Sequence, residues 1–371
     1  MANCLYGNKL HNSKRLLNIG RVKEKITIKD IARALNVNAG TISRALTGKP
    51  GVSPDLRKKI AAKAVQMNYR PNGHARGLVT QRTETIGLLF RVGTSELLSN
   101  AFYAEVLAGI EEESREHNYS MMFASTGGID IVSMSQFPKF IYEHRVDGVL
   151  VVGAIEAVEI GLLKKDNYPC VLIDYALPNE NIDCVITNNR RGGKIATEHL
   201  IQLGHRHIAF VGGGPLDEGN FWERLEGYKE ALKDALIPFK KEYVQGGAIE
   251  TGYESALQIL DRAPQVTAFV GCNDANALGA MNAARSRHMQ VPTDISIVGF
   301  DDIRASQTSW PALTTMRVDK RAMGKMAAQR LIRKLVEKEG SAPFQLVFSP
   351  ELVARGSTAA PNPSGTSRRR T

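Results

Sequence analysis

The sequence predicts an α/β protein in which a small all-α head precedes a larger, doubly wound parallel α/β body. Two observations support this prediction: helical periodicity dominates residues 26–71, and short apolar runs alternate with amphipathic helices from residue 84 onwards. The composition agrees, since 371 residues with 43% hydrophobic side chains suffice for two or three domains and exclude a disordered or collagen-like chain.

The head is predicted over residues 26–71 and begins with two short helices. Thr27 and Asp30 have the spacing of a capping box, and the apolar residues that follow recur at helical intervals, which predicts a first helix over 28–35. After a short turn, Asn38 can cap a second helix, which a glycine- and proline-containing stretch then ends.

A third helix completes the head. Ser53 is its predicted N-cap and Pro54 its first residue. The apolar residues predicted to form its buried side are Ile60, Ala61, Ala64, Val65 and Met67. Two short helices around a tight turn, braced by a third, form a helix-turn-helix unit.

The body is predicted over residues 84–358 and alternates strands with helices. Apolar runs predict strands at Thr85–Phe90, Ser120–Ala124, Gly148–Val152, Cys170–Ile173, Val185–Thr187, Ile208–Val211, Thr267–Gly271, Ile295–Gly299 and Leu313–Val318. Helical patterns lie near residues 102–117, 134–144, 190–203, 222–235, 250–261, 275–287 and 319–337. Repeated β-α-β order gives a parallel sheet covered on both faces, and two series of such units predict two lobes with a cleft between them.

Three segments lack the pattern of a packed core. Residues 1–25 form a basic extension and residues 359–371 a tail rich in Pro, Ser and Arg, and we expect both to be disordered. Residues 72–83 are basic and contain glycine, which is typical of a linker.

Positive charge is concentrated at the N-terminus. Residues 1–83 carry nine Lys and eight Arg against three acidic residues, a net charge of +14. Because the whole chain carries +10, residues 84–371 sum to −4. A basic head on an acidic body is typical of a polyanion-binding module joined to a domain with another task.

Sequence motifs for several other functions are missing. Walker A, GxGxxG, GxSxG and HExxH patterns do not occur, and four dispersed Cys without a CxxC pair argue against zinc, so no cofactor and no metal are predicted. Asp301 and Asp302 could form an acid–base pair, but carboxylates at strand ends of open α/β sheets more often bind ligand hydroxyls. The N-terminus lacks the apolar run of a secretory signal, and no stretch is apolar enough for a membrane span. We therefore expect a cytoplasmic protein that is not an enzyme.

Ordered motifs along residues 26–358 resemble the LacI family of bacterial transcriptional regulators. In the head they are Ile26–Leu35, Val37–Leu46, Gly48–Ser53 and Asn68–Asn72. In the body they are Glu198–His205, Glu223–Tyr228, Asn273-Asp274, Asp294–Asp302 and Leu313–Thr315. The resemblance implies a periplasmic-binding-protein-like body, a homodimer on palindromic operator DNA in the nucleoid, and a repressor controlled by a small sugar-like effector.

DNA-contacting residues follow from this resemblance. The positions that would reach base edges are Asn38, Ala39, Gly40, Thr41, Ser43 and Arg44, and those near the phosphates are Thr27, Ile28, Lys29, Thr47 and Ser53. Arg44 could bind a guanine with two N–H groups, whereas Thr41 and Ser43 could contact phosphate instead of bases. The resemblance also implies that the linker becomes a hinge helix on DNA and inserts Leu78 into the minor groove, with Asn72 and Ala75 nearby.

Effector-contacting residues are assigned in the same way. The residues around the cleft are Arg91, Phe102, Tyr103, Asp174, Trp222, Arg224, Asn273 and Asp301. Asp301 and Arg224 can bond adjacent hydroxyls, and either aromatic at a helix start could cover a sugar face or belong to the core. Arg91 beside Arg224 suggests an effector with an anionic group, unless Arg91 pairs with a carboxylate such as Glu105.

Two other functions are weighed against this one. A solute-binding protein would have a secretory signal and no basic head, and neither expectation fits. An enzyme would need a nucleophile and a base, for which His205 and His207 or the Asp301-Asp302 pair are the only suggestions. Whether the effector releases the protein from DNA or loads it onto DNA does not follow from these residues.

Overall fold

The computed structural model describes residues 26–70, 82–91, 100–126, 131–177, 180–212, 219–246, 251–337 and 342–362. The predictions for the basic extension, for the hinge residues Asn72, Ala75 and Leu78, and for most of the tail lie outside these ranges. The chain divides into two compact units, Met1–Val79 and Thr80–Thr371. No helix in the described ranges is long and apolar enough to cross a membrane.

The first unit contains the three predicted helices, α1 (Ile28–Leu35), α2 (Ala39–Leu46) and α3 (Pro54–Gln66). Each begins at the expected residue: Thr27 and Asp30 form a capping box, and the side chains of Asn38 and Ser53 accept backbone N–H groups. Ile31, Ile42 and Ile60 meet in a small core that holds the three helices together.

The predicted buried side of α3 was partly wrong. Ile60 and Ala64 are buried, but Ala61 is exposed and 77% of Val65 is exposed. Leu56, Ile60 and Ala64 follow one another at intervals of four, so they share a face of the helix, while Val65 lies one position further round and points to solvent.

The second unit is an α/β structure. Its strands are β1 (Thr85–Phe90), β2 (Ser120–Ser125), β3 (Gly148–Val152), β4 (Cys170–Ile173), β5 (Asp183–Thr187), β6 (Ile208–Val211), β7 (Val244–Gln245), β8 (Ala268–Gly271), β9 (Ser296–Asp301), β10 (Thr314–Arg317), β11 (Gln345–Phe348) and β12 (Glu351–Val353). Its helices are α4 (Ala101–Glu116), α5 (Lys139–Tyr142), α6 (Ala157–Lys165), α7 (Asn189–Gln202), α8 (Asn220–Asp234), α9 (Gly252–Arg262), α10 (Asp274–Ser286), α11 (Arg304–Thr308) and α12 (Lys320–Glu337).

The strands form two six-stranded sheets, one in each lobe. The first lobe has the order β11-β5-β4-β3-β1-β2, and the second has the order β12-β10-β9-β8-β6-β7. All neighbouring strands are parallel except β12, which runs antiparallel to β10. The chain passes between the lobes after β5, β10 and β11, so the carboxyl ends of the strands, where ligands bind in open α/β sheets, lie beside these crossings.

The doubly wound parallel architecture is confirmed, with three local differences. The helix predicted over 134–144 is reduced to a 3₁₀ turn and the short α5, because Pro138 interrupts the pattern. Helices α6 and α11 were not predicted. Strands β7, β11 and β12 were also missed, because they have two to four residues and no buried apolar run.

Glycine pairs allow the closest helix contacts of the body. A Cβ atom at Gly109 of α4 would lie 2.0 Å from the carbonyl oxygen of Arg321, and one at Gly324 of α12 would lie 2.0 Å from that of Val106. Only glycine permits such an approach, so α4 and α12 are locked together in the first lobe. A similar pair, Gly193 and Gly227, joins α7 to α8 in the second lobe.

Candidate functional site

The end of β9 forms a left-handed turn that separates two neighbouring carboxylates. Asp301 has a φ of 111° and Asp302 a φ of 52°. Asp302 accepts hydrogen bonds from Arg317 Nε at 2.9 Å and Arg355 Nη2 at 2.6 Å. Burial alone would raise its pKa, but the two arginines outweigh burial and lower the pKa. Because Asp302 is held by these arginines and Asp301 by other groups, the two residues do not form an acid–base pair.

Asp301 is instead aligned by a buried arginine from α8. Arg224 Nη2 lies 3.4 Å from Asp301 Oδ1, and the Arg224 side chain is 4% exposed. Its other nitrogens donate to Asn189 Oδ1 at 2.8 Å and to the carbonyl oxygen of Cys272 at 2.6 Å, and its guanidinium stacks 3.7 Å from the ring centre of Phe300. All three guanidinium nitrogens of Arg224 therefore contact protein groups, and Arg224 positions Asp301.

The first lobe contributes a second carboxylate, Asp174, which follows β4. Its Oδ2 accepts a hydrogen bond of 3.3 Å from the Tyr103 hydroxyl. Its backbone oxygen accepts one of 2.9 Å from Asn220 Nδ2 of α8, which joins the two lobes directly. Asp174 also raises the pKa of Asp301, so the two carboxylates lie within electrostatic reach of each other.

Each carboxylate has a buried Oδ1 atom that makes no hydrogen bond. Asp174 Oδ1 has no hydrogen-bond partner among the described residues, and Asp301 Oδ1 faces Arg224 Nη2 only at the 3.4 Å of their ion pair. Burial raises the pKa of each to about 6, although the Arg224 charge opposes the shift. Buried acceptors without a donor are costly, so this arrangement suits a ligand that brings hydroxyl or N–H groups between the lobes.

A polar network behind the site fixes its second-lobe half. Asn273, predicted as a ligand residue, is the N-cap of α10, where its Oδ1 accepts from the backbone and the side chain of Asn276 at 2.9 and 2.8 Å. Asp274 accepts hydrogen bonds from Ser306 and Thr315, both at 2.5 Å. Burial and the nearby Asp301 raise the pKa of Asp274 to about 7.

The structure shows which of the alternatives left open for Arg91, Phe102 and Trp222 fits each residue. Arg91 is paired with Glu156 at 2.8 Å and Glu159 at 3.6 Å, not with Glu105, so its charge is already balanced at the end of β1. Phe102 is buried in the core, with its ring edge-on to Tyr103 at a centroid distance of 5.3 Å. Trp222, in contrast, is 45% exposed at the start of α8 and is available to a ligand.

The predicted base-reading residues lie along α2, with unequal exposure. Ser43 and Arg44 are exposed and Thr41 is half-buried. Asn38 Oδ1 accepts from the backbone N–H of Gly40 at 2.7 Å, so Asn38 serves first as a helix cap. Ala39 packs against the head core, which leaves it less free to meet a base than the sequence suggested.

The residues predicted near phosphates also differ in how exposed they are. Lys29 is exposed, whereas Ile28 packs partly against the core. Thr27 and Ser53 are N-caps, and the Thr47 hydroxyl donates to the carbonyl oxygen of Ser43 at 2.7 Å. These contacts fix the ends of the helices without preventing a further contact to DNA.

Several residues of the site were not identified from the sequence. Asn189, Asn220 and Lys320 each begin a helix and contact residues far away in the chain. In the head, Arg57 Nη1 and Nη2 donate to the carbonyl oxygens of Ala45 at 3.0 Å and Lys49 at 2.7 Å, which fixes the turn after α2. No group of His, Cys, Asp and Glu in the described ranges could hold a metal ion.

Comparisons with known proteins match both units. A model described as bacterial regulatory proteins of the lacI family matches residues 27–72, and one described as a periplasmic binding protein-like domain matches residues 197–358. The ribose operon repressor of Haemophilus influenzae is 32% identical over 334 residues, which cover 89% of this chain and 98% of the relative.

Two solved structures are similar over nearly the whole chain. A lac repressor dimer bound to operator and the anti-inducer ONPF has a TM-score of 0.78 and 25% identity, covering 91% of this chain and 100% of that one. A complex of the transcriptional regulator CelR with cellobiose has a TM-score of 0.68 and 28% identity, covering 90% of this chain and 99% of that one.

Proposed function

Because this chain belongs to the LacI family of bacterial transcriptional regulators, we propose that it is a homodimeric repressor whose affinity for operator DNA is controlled by a neutral, hydroxyl-rich effector bound between its lobes. The observation that carries the effector half is a pair of buried carboxylates, one from each lobe, whose Oδ1 atoms make no hydrogen bond among the described residues, although Asp301 Oδ1 faces Arg224 in an ion pair. The observation that carries the DNA half is a helix-turn-helix unit that lies within an N-terminal region, residues 1–83, whose net charge is +14.

On the DNA side, each protomer reads one half of a palindromic operator in the cytoplasm, within the nucleoid. Arg44, Ser43 and Thr41 contact base edges, since Arg44 and Ser43 are exposed on α2 and Thr41 is partly exposed beside them. Lys29, Thr27, Thr47 and Ser53 contact phosphates and set the register. The head charge makes binding salt-dependent, with a slope of about −0.9 per neutralised phosphate.

The hinge completes the DNA side of the proposal. Residues 72–83 become helical on DNA, and Leu78 enters the minor groove as an apolar wedge. Asn72 and Ala75 lie on the same short helix and support this contact. Gly73 and Gly77 each disfavour a helix by about 1 kcal/mol relative to Ala, so the hinge forms only when DNA supplies compensating contacts.

On the effector side, Asp174 and Asp301 accept ligand hydroxyls from opposite lobes, while Tyr103 and Arg224 position them. Trp222 covers an apolar face of the ligand. The anionic effector suggested by Arg91 is not part of this proposal, because Arg91 is balanced by Glu156 and the Arg224 guanidinium is used within the protein. Two similar proteins fit a neutral ligand, since one is named a ribose operon repressor and another was solved with cellobiose.

A footprinting experiment tests both halves of the proposal. The purified full-length protein is incubated with the DNA upstream of its own gene, and protection is mapped with and without neutral sugars, sugar phosphates and amino sugars. We expect a protected palindrome whose protection changes with a neutral polyol. Absence of any protected palindrome contradicts the DNA half, and a response confined to sugar phosphates contradicts the effector half.

A further inference from the structure

Lys320 is a buried lysine at the centre of the body. The residue is 7% exposed, and it is the first residue of α12. Its ammonium group donates to the carbonyl oxygens of Asp301, of Asp302 at 3.3 Å and of Val318 at 3.3 Å. Lysine is almost never buried without compensation, so these three carbonyls must replace the water that its charge has lost.

The carbonyls converge because the end of β9 is left-handed. Asp301 and Asp302 both have positive φ values, which turns their carbonyl oxygens towards the start of α12. A positive φ is strained for a residue other than glycine and persists only when its surroundings fix it. Lys320 therefore stabilises this turn, and the turn directs the Asp301 carboxylate into the effector site.

The contact between Lys320 and the turn joins elements of different lobes. The turn belongs to the second lobe, since β9 lies in its sheet. Helix α12 belongs to the first lobe: it packs against β3, β4, β5 and α4, with Gly324 fitted against the backbone of Val106. A shift of the turn relative to the first lobe therefore acts on the start of α12, a helix that is firmly packed in that lobe.

The far end of α12 contacts Arg82, and the two residues after Arg82 bond to Asp147, just before β3. The carbonyl oxygen of Leu335 accepts a hydrogen bond of 2.6 Å from Arg82 Nη2. The next two residues, Thr83 and Glu84, donate their backbone N–H groups to Asp147 at 2.6 and 2.9 Å. Lys320 and Leu335 are about 22 Å apart along the helix, at about 1.5 Å per residue. In sequence, Arg82 belongs to the end of the segment with the predicted hinge.

We propose that Lys320 is the positioning residue that couples effector occupancy to the start of the body, where the predicted hinge ends, with α12 as the rigid connection to Arg82. This inference rests on the proposed function, because it assigns a route between the two sites named there. A ligand that binds Asp301 changes the position of the turn, the turn moves the Lys320 ammonium, and α12 carries the displacement to Arg82 and Thr83.

Hydrogen exchange on the full-length, ligand-free protein tests the connection. Lys320→Met removes the three donors and keeps an unbranched side chain that is one atom shorter. We expect the amides of Thr83 and Glu84 to exchange at least about fivefold faster than in the wild type, the lower end of typical coupling between sites. Lys320→Arg keeps donors and should largely restore the slow exchange. Lys325→Met is the matched control, because Lys325 lies on the same helix but pairs with Glu113 and Glu116 of α4 and makes no contact with the turn.

A reciprocal measurement separates coupling from local damage. Linkage between two sites acts equally in both directions, so Arg82→Gln should speed exchange at Asp302 and Ile303, whose N–H groups are bonded at the turn. Exchange in β8 should stay unchanged in every variant. Equal exchange at Thr83 in Lys320→Met and Lys325→Met overturns the proposal, and so does a general increase that includes β8.

DNA binding by the same variants distinguishes failure of this inference from failure of the proposed function. If the wild type protects no palindrome, the proposed function is wrong, whereas the exchange data still decide whether Lys320 and Arg82 are coupled. If the wild type protects an operator, Lys320→Met should change operator affinity about fivefold or more without any effector, and Lys325→Met should leave it unchanged. Unchanged affinity in Lys320→Met overturns the coupling role.

Discussion

Replacing Asp174 with asparagine should stabilise the protein while weakening effector binding. Burial raises the pKa of Asp174 from 3.8 to about 6. Since one pKa unit corresponds to about 1.4 kcal/mol, keeping this carboxylate ionised in the folded protein costs about 3 kcal/mol above pH 7. The asparagine side chain has no charge to bury and retains an oxygen that can accept the hydrogen bond from Tyr103.

The sign of this effect depends on pH. A carboxyl group with a raised pKa contributes stability that is fully present below pH 3.8 and is lost as the pH rises through about 6. Asp174→Asn should therefore gain about 1 kcal/mol at pH 4.5 and about 3 kcal/mol at pH 7.5, over the wild type at the same pH. For a domain of this size, the larger value raises Tm by about 5 °C.

Thermal unfolding at several pH values measures the gain, and calorimetry with the effector found by footprinting measures the loss. The variant lacks one ionised acceptor of a ligand hydroxyl, which should weaken binding by about tenfold or more. Asp261→Asn is the control, because Asp261 is an exposed carboxylate paired with Arg287 and should show neither effect. A gain in Tm at pH 7.5 no larger than at pH 4.5 would refute the reasoning.

Three further predictions concern other contacts. Arg224→Met should lower the free energy of unfolding by about 3 kcal/mol, measured with urea. The variant leaves the buried Asp301 carboxylate without its counter-charge and the Cys272 carbonyl without this donor. An unchanged urea midpoint would contradict this prediction. Arg57→Met should weaken binding to both operator and random DNA in fluorescence anisotropy, because the turn after α2 loses two hydrogen bonds; a loss confined to the operator would be unexpected. Leu78→Ala should lower operator affinity far more than non-specific affinity, and equal losses would argue against the wedge.

The regular elements of the body were predictable because their signals are local. Runs such as Gly148–Val152 and Ile208–Val211 are apolar throughout and end at the residues where the strands end in the structure. A short run that is apolar throughout fits a strand buried on both faces of a sheet, so the run alone is enough to predict such a strand. Val65 of α3 shows the limit of local patterns, since an apolar residue one position off the buried face of a helix is exposed.

The partners of the site residues could not be predicted in the same way. Arg91 is at a strand end, as expected, but the sequence does not say that Glu156, 65 positions later, will pair with it. Lys320 resembles an ordinary solvated lysine at a helix start, and only the left-handed turn at Asp301 reveals its role. Such roles depend on contacts between distant segments, and a single sequence does not encode these contacts as a pattern.

Three buried carboxylates with raised pKa values lie together at the inter-lobe site. Asp174, Asp301 and Asp274 have pKa values raised to about 6 or 7, and Asp174 and Asp301 each have an oxygen without a hydrogen bond, as Glu113 has between α4 and α12. Elsewhere a carboxylate as buried as Asp183 is satisfied by Arg330, Lys334 and a backbone N–H. A ligand that donates to Asp174 and Asp301 removes an energetic cost that the unliganded protein cannot relieve. Because the ligand must reach a carboxylate of each lobe at once, the same free energy that binds the ligand also favours one arrangement of the lobes.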